Sequence, residues 1–228
     1  MKNLFIYIPT YNRPEAIRAQ LRALAPQAAK HQSRVRVLVN DNASSSYSFD
    51  EIINDFSIYK NIKFQRNCGN IGGNGAIALG FAFAQADEFL WILSDNDIVT
   101  ESALDYLLPL LEDKIDFFCF INSAEEPVEI DYSWSNGWQT PMDWRMGLIS
   151  DALYNTNTVK NSIDQAFYFH NSSFPHLAVG CATAKERGIV KFKLLPRSKI
   201  NNGFYRSDEY PTDYSIAHVG MPLLVALF

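Results

Sequence analysis

The stretch Phe89-Leu90-Trp91-Ile92-Leu93-Ser94-Asp95-Asn96-Asp97 changes abruptly from apolar to acidic. Its first five residues are typical of a strand that is buried on both faces of a sheet. Asp95 and Asp97 follow where that strand ends, and in open α/β sheets this carboxyl edge is where ligands bind. Two carboxylates so close together repel each other unless a cation lies between them. The pair therefore predicts a site for Mg²⁺ or Mn²⁺, although a polar turn after a strand has the same composition.

The composition is that of a folded protein with a sizeable core, since 47% of the 228 residues are apolar and 14% are aromatic. A net charge of -5, without a basic stripe, argues against a nucleic-acid partner. Cys68, Cys119 and Cys181 are far apart in the sequence, which favours a reducing compartment such as the cytoplasm. No signal peptide or membrane-spanning stretch is recognisable. The apolar residues 221–228 either pack on the core or mark a chain cut from a longer protein.

Strand and helix patterns alternate through residue 121, which predicts an α/β fold with a parallel sheet and right-handed crossovers. Asn12 is expected to cap the first helix and Thr100 a later one. Beyond residue 121 the periodicity is weak. We therefore expect one continuous domain with two parts, residues 1–121 binding a common ligand and residues 122–228 a particular one; the family resemblance described below implies that these are a nucleotide-sugar-binding half and an acceptor-binding half. The expected strands are centred on residues 4–8, 35–39, 62–64, 89–93 and 116–121.

Three polar loops, at residues 10–13, 41–44 and 95–97, each follow a strand. The carboxyl ends of parallel strands meet at one edge of a sheet, so these loops should form one cleft. A glycine-rich turn at 66–75 leads into a helix expected at 76–86. Its glycines either let a ligand approach the backbone or allow tight packing of the helix on a strand. The turn lacks the Gly-Lys-Ser/Thr of a P-loop.

Four ordered motifs together resemble the family-two glycosyltransferases of GT-A fold, over about the first half of the chain. They are Ile8-Pro9-Thr10-Tyr11-Asn12-Arg13, Val39-Asn40-Asp41-Asn42-Ala43-Ser44, Asn67-x-Gly69-Asn70-Ile71-Gly72-Gly73-Asn74 and Ser94-Asp95-Asn96-Asp97. The resemblance implies a Rossmann-like, mostly parallel central sheet flanked by helices, with a smaller acceptor-binding C-terminal part. It also implies a metal-dependent enzyme that transfers one sugar from a nucleoside diphosphate sugar, by default a UDP-sugar. The acceptor would be a glycan or a lipid-linked sugar, as in the assembly of bacterial lipopolysaccharide or capsule.

The same resemblance implies roles for individual residues. Asp41 is expected to hold the base, although Asn40 and Asn42 depart from the usual Val-Asp-Asp-Gly-Ser type of motif. Asp97 is expected to bind the metal directly, with Asp95 directed towards ribose and metal and His218 as a downstream metal ligand. The expected donor-binding residues are Pro9, Thr10, Tyr11, Asn12, Asp41, Asn70, Gly73, Asn74, Ser94, Asp95 and Asn96.

The general base is less clearly marked, because the Glu-Asp pair of inverting members is missing from the expected region. His176, within residues 172–178, is one candidate, with an intrinsic pKa suited to proton transfer. A histidine at a helix start, bonded to a backbone carbonyl, is an equally good interpretation. Asp151, in a segment that resembles the family's sugar-facing strand, is the other candidate.

Other features bear on the acceptor side. Trp134, Trp138 and Trp144 are expected either to stack on acceptor sugars or to pack in the core. The Gln-x-x-Arg-Trp motif of processive members is absent from the sequence, which argues against a processive synthase. Family members often work at the inner face of the cytoplasmic membrane, so peripheral membrane association is an alternative to a free cytoplasmic location, although no basic amphipathic helix is evident. The sequence leaves the oligomeric state and the donor sugar open.

Two rival functions remain at this stage. A nucleotidyltransferase would carry a basic, glycine-rich loop directly after the first strand, where this chain has Pro9-Thr10-Tyr11-Asn12. A non-catalytic carbohydrate-binding relative would keep the fold, but the intact pair Asp95 and Asp97 disfavours it.

Overall fold

The computed structural model describes residues 2–112, 114–134, 146–172 and 174–204. The strands in these ranges are β1 Asn3–Thr10, β2 Val35–Asp41, β3 Ile62–Arg66, β4 Glu88–Ile92, β5 Asp97–Val99, β6 Phe117–Ile121, β7 Val128–Ser133, β8 Ala152–Asn155, β9 Ile189–Pro196 and β10 Asn201–Phe204. The α-helices are α1 Pro14–Lys30, α2 Phe49–Phe56, α3 Gly72–Phe83, α4 Ala103–Leu107, α5 Thr156–Val159, α6 Asp164–Tyr168 and α7 Pro175–Arg187. No helix in the described part of the chain is both long and apolar enough to cross a membrane.

Eight of the strands form one sheet in the order β3-β2-β1-β4-β8-β6-β9-β7. The first four are parallel, and β6 and β9 are parallel to each other. β8 runs antiparallel to both of its neighbours, and β7 runs antiparallel to β9. The mostly parallel sheet expected from the sequence is therefore confirmed, with two reversed strands. Strands from both sides of residue 121 share this sheet.

The sheet is covered on both faces, and β1 shows how its sequence achieves this. Leu4, Ile6 and Ile8 pack in a core with α1, α2 and α4, whereas Phe5 and Tyr7 pack in a second core with α3 and α7. All five side chains are fully buried. Because successive side chains of a strand point to opposite faces, a strand between two cores must be apolar at every position.

The expected helix starts are wrong in detail. The capping residue of α1 is Arg13, not Asn12. Asn12 adopts a left-handed backbone conformation with φ of 54°. The Asn12 Oδ1 instead accepts hydrogen bonds from the backbone N–H groups of Ser45 and Ser46. Asparagine tolerates this backbone region better than most residues. Here it connects the loop after β1 to the loop after β2.

The helix starts at Thr100 and in the glycine-rich turn also differ from expectation. Thr100 does not cap a helix, because its Oγ1 donates to the carbonyl of Lys199 and α4 begins only at Ala103. α3 begins at Gly72, within the glycine-rich turn, rather than at Ala76.

The short strand β5 was not expected. Asp97 begins it, and β5 pairs antiparallel with β10, so that Asp97 lies opposite Phe204 and Val99 opposite Asn201. The second acidic residue of the Asp-x-Asp pair therefore lies in a strand that is completed by a segment about a hundred residues later.

Candidate active site

A cavity of about 310 Å³ lies at the carboxyl edge of β1, β2 and β4. It brings together residues from the three polar loops that were expected to form one cleft, and residues of the glycine-rich turn also line it. Its lining also includes Ile149, which belongs to the segment that leads into β8. The lining residues are Pro9, Thr10, Tyr11, Arg13, Asn42, Asn70, Gly72, Gly73, Ala76, Ile77, Ser94, Asp95 and Ile149.

Most of the predicted donor-binding residues line this cavity, namely Pro9, Thr10, Tyr11, Asn70, Gly73, Ser94 and Asp95. Four others lie outside the lining. Asn12 ties two loops together, and Asn74 lies in the first turn of α3. Asn96 accepts a hydrogen bond of 2.6 Å from Ser94 Oγ. The fourth is Asp41, and a donor-binding role for all four stays a prediction.

Asp41 is fully buried beneath the loop that follows β2. Its carboxylate accepts hydrogen bonds from the backbone N–H and the hydroxyl of Ser44, and it pairs with Arg66 Nε at 3.4 Å. These contacts fix the shape of the loop. The neighbouring Asn42, not Asp41, reaches the cavity lining.

Asn42 holds the glycine-rich turn against this loop. Its Oδ1 accepts from Asn67 Nδ2 at 3.0 Å and from the N–H of Ile71 at 3.1 Å. Its Nδ2 donates to Asn70 Oδ1 at 2.8 Å and to the carbonyl of Gly72 at 3.2 Å. Gly72 has φ of 78°, a conformation that favours glycine. Where the family motif usually has glycine, this chain therefore has an amide that uses both of its ends to build the cavity wall.

Asp95 is buried, and both of its carboxylate oxygens have partners. Thr10 Oγ1 donates to Oδ2 at 2.8 Å, and Arg13 Nη1 donates to Oδ1 at 3.1 Å. Burial raises the pKa of Asp95, and Arg13 and Thr10 oppose that rise. Arg13 belongs to the first motif, but the sequence alone did not predict a role for it. The signal that could have found it is the need of a buried carboxylate for a cation.

Asp97 is buried as well, but one of its oxygens is unused. Ser150 and Asn201 donate to its carboxylate, whereas Oδ1 has no hydrogen-bond partner among the described residues. Burial raises the pKa of Asp97, and these two donors oppose the rise. A buried, unsatisfied carboxylate oxygen fits a hard cation such as Mg²⁺ or Mn²⁺, which prefers oxygen ligands and keeps positions for water and phosphate. The structure shows no group of three or more metal-ligating side chains within its described ranges, and His218 lies outside them.

Asp151 lies near Asp97. Its carboxylate is paired with Arg197 Nε at 3.0 Å. Burial raises the pKa of Asp151 to about 7, with Asp97 adding to the rise and Arg197 opposing it. The preceding Ser150 accepts from the N–H of Ser94 at 2.9 Å, which joins this segment to the acidic loop.

His176 lies in the first turn of α7 with its ring inside the second core, 1% exposed. Its Nε2 donates to the carbonyl of Gly147 at 3.2 Å, and Nδ1 has no hydrogen-bond partner among the described residues. Burial lowers the pKa of His176 to about 4. This environment matches the helix-start interpretation of a histidine bonded to a backbone carbonyl, and a catalytic role stays a prediction.

Of the three tryptophans considered for acceptor stacking, Trp134 is partly buried and packs against the second core. Trp138 and Trp144 lie outside the described residues.

The fold is similar to that of several solved glycosyltransferases. The TarS 1-349 structure of S. aureus in complex with UDP superposes with a TM-score of 0.67 at 14% identity, covering 99% of this chain and 64% of that one. The same protein with UDP-GlcNAc gives 0.59 at 14% identity, with 99% and 66% covered. The mannosyltransferase PcManGT of Pyrobaculum calidifontis, in complex with GDP-Man and Mn²⁺, gives 0.60 at 10% identity, with 92% and 59% covered.

At such low identity the likeness concerns the fold, and the GT-A fold expected from the motifs is confirmed. The chain spans about two thirds or less of the length of these solved structures. A search of curated protein sequences finds no match. The sequence profile of "Glycosyl transferase family 2" matches residues 5–175, three quarters of the chain and all four motifs, and the protein therefore belongs to glycosyl transferase family 2.

Proposed function

We propose that this protein is a metal-dependent, inverting glycosyltransferase that moves one sugar from a nucleoside diphosphate sugar, preferably a UDP-sugar, to a hydroxyl of a glycan or lipid-linked acceptor. The observation that carries the proposal is the cavity in which all four motifs meet. Asp97, two residues after Asp95 of the lining, has a carboxylate oxygen with no hydrogen-bond partner among the described residues. The family match supports sugar transfer. The neighbours crystallised with UDP, UDP-GlcNAc or GDP-Man and Mn²⁺ support a nucleotide-sugar donor and a divalent cation.

In this proposal the nucleoside enters between the loops after β1 and β2 and the first turn of α3. Pro9, Tyr11 and Ile77 offer it apolar surface, and Asn70 offers a polar side chain. Asn70 is fixed by hydrogen bonds from Asn42 and from the N–H of Gly72. A site whose side chains are already held in place loses little conformational freedom when it binds a ligand.

The diphosphate would then point towards the two acidic residues. Asp97 would hold the metal ion, with Ser150 and Asn201 orienting its carboxylate. When bound, a divalent cation neutralises the negative charge that develops on the leaving nucleoside diphosphate.

The acceptor hydroxyl needs a base, and Asp151 is better placed for this role than His176. Asp151 comes two residues after Ile149 of the cavity lining, whereas the ring of His176 is enclosed in the core. A pKa of about 7 also makes Asp151 a stronger base than His176, whose pKa is lowered to about 4. We therefore propose that Asp151 accepts the hydroxyl proton as the sugar is transferred.

We expect the protein to act in the cytoplasm or at the inner face of the cytoplasmic membrane, in the assembly of bacterial surface polysaccharides. This expectation rests on what is common among family members, and transfer to an identified acceptor would test it.

A thermal-shift panel with UDP, GDP, dTDP and CMP, each with Mn²⁺ and with EDTA, tests the donor assignment. A ligand that binds only the folded state raises the unfolding midpoint, so one diphosphate should stabilise the protein more with Mn²⁺ than with EDTA. Asp97→Asn should abolish the Mn²⁺-dependent part of that shift. Asp50→Asn, which removes an exposed carboxylate of α2, is the matched control and should behave as wild type.

Turnover of the selected nucleotide sugar separates the remaining functions. Release of the nucleoside diphosphate supports the transferase. Pyrophosphate release from a nucleoside triphosphate would instead indicate a nucleotidyltransferase. Binding without turnover would indicate a non-catalytic relative, and binding of none of the four nucleotides would overturn the proposal.

A further inference from the structure

The cavity has a marked charge arrangement at one end. Arg13 is the one positively charged side chain among the described residues that line it, and Asp95 is the one negatively charged. The two form an ion pair of 3.1 Å in which the Arg13 side chain is 34% exposed and that of Asp95 only 4%. The carboxylate is therefore almost completely enclosed, and the guanidinium is the more accessible partner of the pair.

The two acidic residues of the Asp-x-Asp pair are used differently. Both oxygens of Asp95 accept hydrogen bonds, from Thr10 and from Arg13. Asp97 has an oxygen without a partner among the described residues. Asp95 is thus arranged to hold a protein cation, and Asp97 is arranged to hold a metal ion.

The backbone around Arg13 is also fixed. Asn12 is tied to the 44–46 loop through its Oδ1 and through its N–H, which donates to Ser44 Oγ at 2.8 Å. Arg13 occupies the capping position of α1, and its carbonyl accepts the N–H of Ile17. The side chain therefore starts from a rigid point and ends at a buried carboxylate, which limits the positions open to the guanidinium.

Charge balance shows what Arg13 adds. A divalent cation only cancels the two carboxylates of Asp95 and Asp97, so metal and acids together have no net charge. A nucleoside diphosphate sugar carries two negative charges, and Arg13 supplies one positive charge towards balancing them. A guanidinium also matches phosphate geometry, because its N–H groups form a planar fork.

We propose that Arg13 is a phosphate-binding residue of the donor site, positioned by Asp95 and Thr10, and that the donor diphosphate lies between its guanidinium and the cation at Asp97. This inference rests on the proposed function, because it assumes a nucleoside diphosphate in the cavity. It gives Asp95 an indirect role, as the residue that orients Arg13.

Isothermal titration with uridine, UMP and UDP tests the proposal, using wild type, Arg13→Met, Arg13→Gln, Arg13→Lys and Arg22→Met in Mn²⁺ and in EDTA. The loss of a charge-assisted hydrogen bond to phosphate should weaken UDP binding by about tenfold to a hundredfold in Arg13→Met while leaving uridine affinity unchanged. Arg13→Lys should recover part of the loss. Arg22 is an exposed residue of the same helix, so Arg22→Met should bind all three ligands as wild type does.

Arg13→Gln keeps a hydrogen-bond donor for Asp95 without the charge and therefore separates folding from phosphate binding. Its unfolding midpoint should lie closer to wild type than that of Arg13→Met, and its UDP affinity should equal that of Arg13→Met. The loss should persist in EDTA, since the guanidinium acts independently of the metal.

Two results would overturn the proposal while leaving the proposed function intact. One is unchanged UDP affinity in Arg13→Met and Arg13→Gln. The other is an equal loss of affinity for uridine and UDP, which would mean that Arg13 only shapes the cavity. If wild type binds neither UDP nor the diphosphate selected by the thermal-shift panel, the proposed function fails and this inference fails with it.

Discussion

The ring of Tyr7 in β1 packs directly against the backbone of Gly80 in α3. A Cβ added to Gly80 would stand 2.7 Å from Cδ1 of that ring, which is closer than real Cβ atoms approach. Tyr7 is fully buried and its hydroxyl donates to the carbonyl of Ala76 at 2.8 Å, so the ring cannot easily move away. This contact sets how closely α3 approaches the sheet beneath the cavity.

Gly80→Ala should therefore destabilise the protein, by about 1–3 kcal/mol as for other overpacked cores. Helix propensity alone predicts the opposite, a gain of roughly 1 kcal/mol. Urea unfolding measures the difference. Gly73→Ala is the control in the same helix, because an added Cβ there meets nothing within 4 Å, and it should be neutral or stabilising. Equal free energies of unfolding for the two variants would contradict the packing argument.

His176 should make the protein sensitive to acid. Its pKa is about 4 in the folded state against an ordinary value of 6.5, so between these values the unfolded chain binds a proton that the folded protein does not. Stability is therefore complete above about pH 6.5 and falls as the pH drops towards 4, by about 3 kcal/mol in total. Unfolding curves between pH 4 and 7 measure the effect.

His176→Gln supplies the control for this acid sensitivity. Glutamine keeps an N–H donor for the carbonyl of Gly147 but does not titrate, so the variant should lose this part of the pH dependence. An unchanged slope in the variant would mean that other groups cause the acid sensitivity.

The roles of the two base candidates can be separated by turnover. If Asp151 is the general base, Asp151→Asn should lower kcat by about 10²–10⁴-fold and leave donor affinity little changed. Wild-type activity should fall at acidic pH as Asp151 becomes protonated, since the base must be ionised. His176→Gln should keep its kcat after correction for folded fraction. A normal kcat in Asp151→Asn, with loss in His176→Gln, would reverse the assignment.

Asn42→Asp should open the wall of the cavity. A carboxylate cannot donate to Asn70 Oδ1 or to the carbonyl of Gly72, and it would instead repel both oxygens. We expect faster hydrogen exchange in the glycine-rich turn and at least tenfold weaker binding of the nucleoside, because buried polar groups lose their partners. Exchange measured by mass spectrometry over residues 66–75 checks the first effect. Protection equal to wild type would show that Asn42 does not hold the turn.

The sequence was most informative where local pattern and tertiary role coincide. β1, β4 and β6 were predicted from apolar runs, since each is largely buried on both faces, whereas β2 and β3 were predicted from alternating apolar residues. The three polar loops that follow strands predicted one cleft, because parallel strands end at one edge of the sheet. Local pattern also predicted the buried face of α1, where Ile17, Leu21 and Leu24 lie in the first core.

What the sequence could not provide were contacts between distant segments. The local sequence predicts that Asn12 caps a helix, but its side-chain oxygen accepts a hydrogen bond from the loop at 45–46 instead. Asp41 matches the base-binding position of the family, yet Ser44 and Arg66 occupy its carboxylate. Strand β5 is only three residues long and exists through its pairing with β10, which no local pattern indicates.

The position of β8 between β4 and β6 has a consequence for how such enzymes can be recombined. A fragment that ended at residue 121 would contain β4 and β6 but not the reversed strand that joins them. Two facing strand edges would then lie one strand apart with no backbone partners. Residues 1–121 are thus not a transplantable module, and exchanging loops should disturb this architecture less than swapping halves.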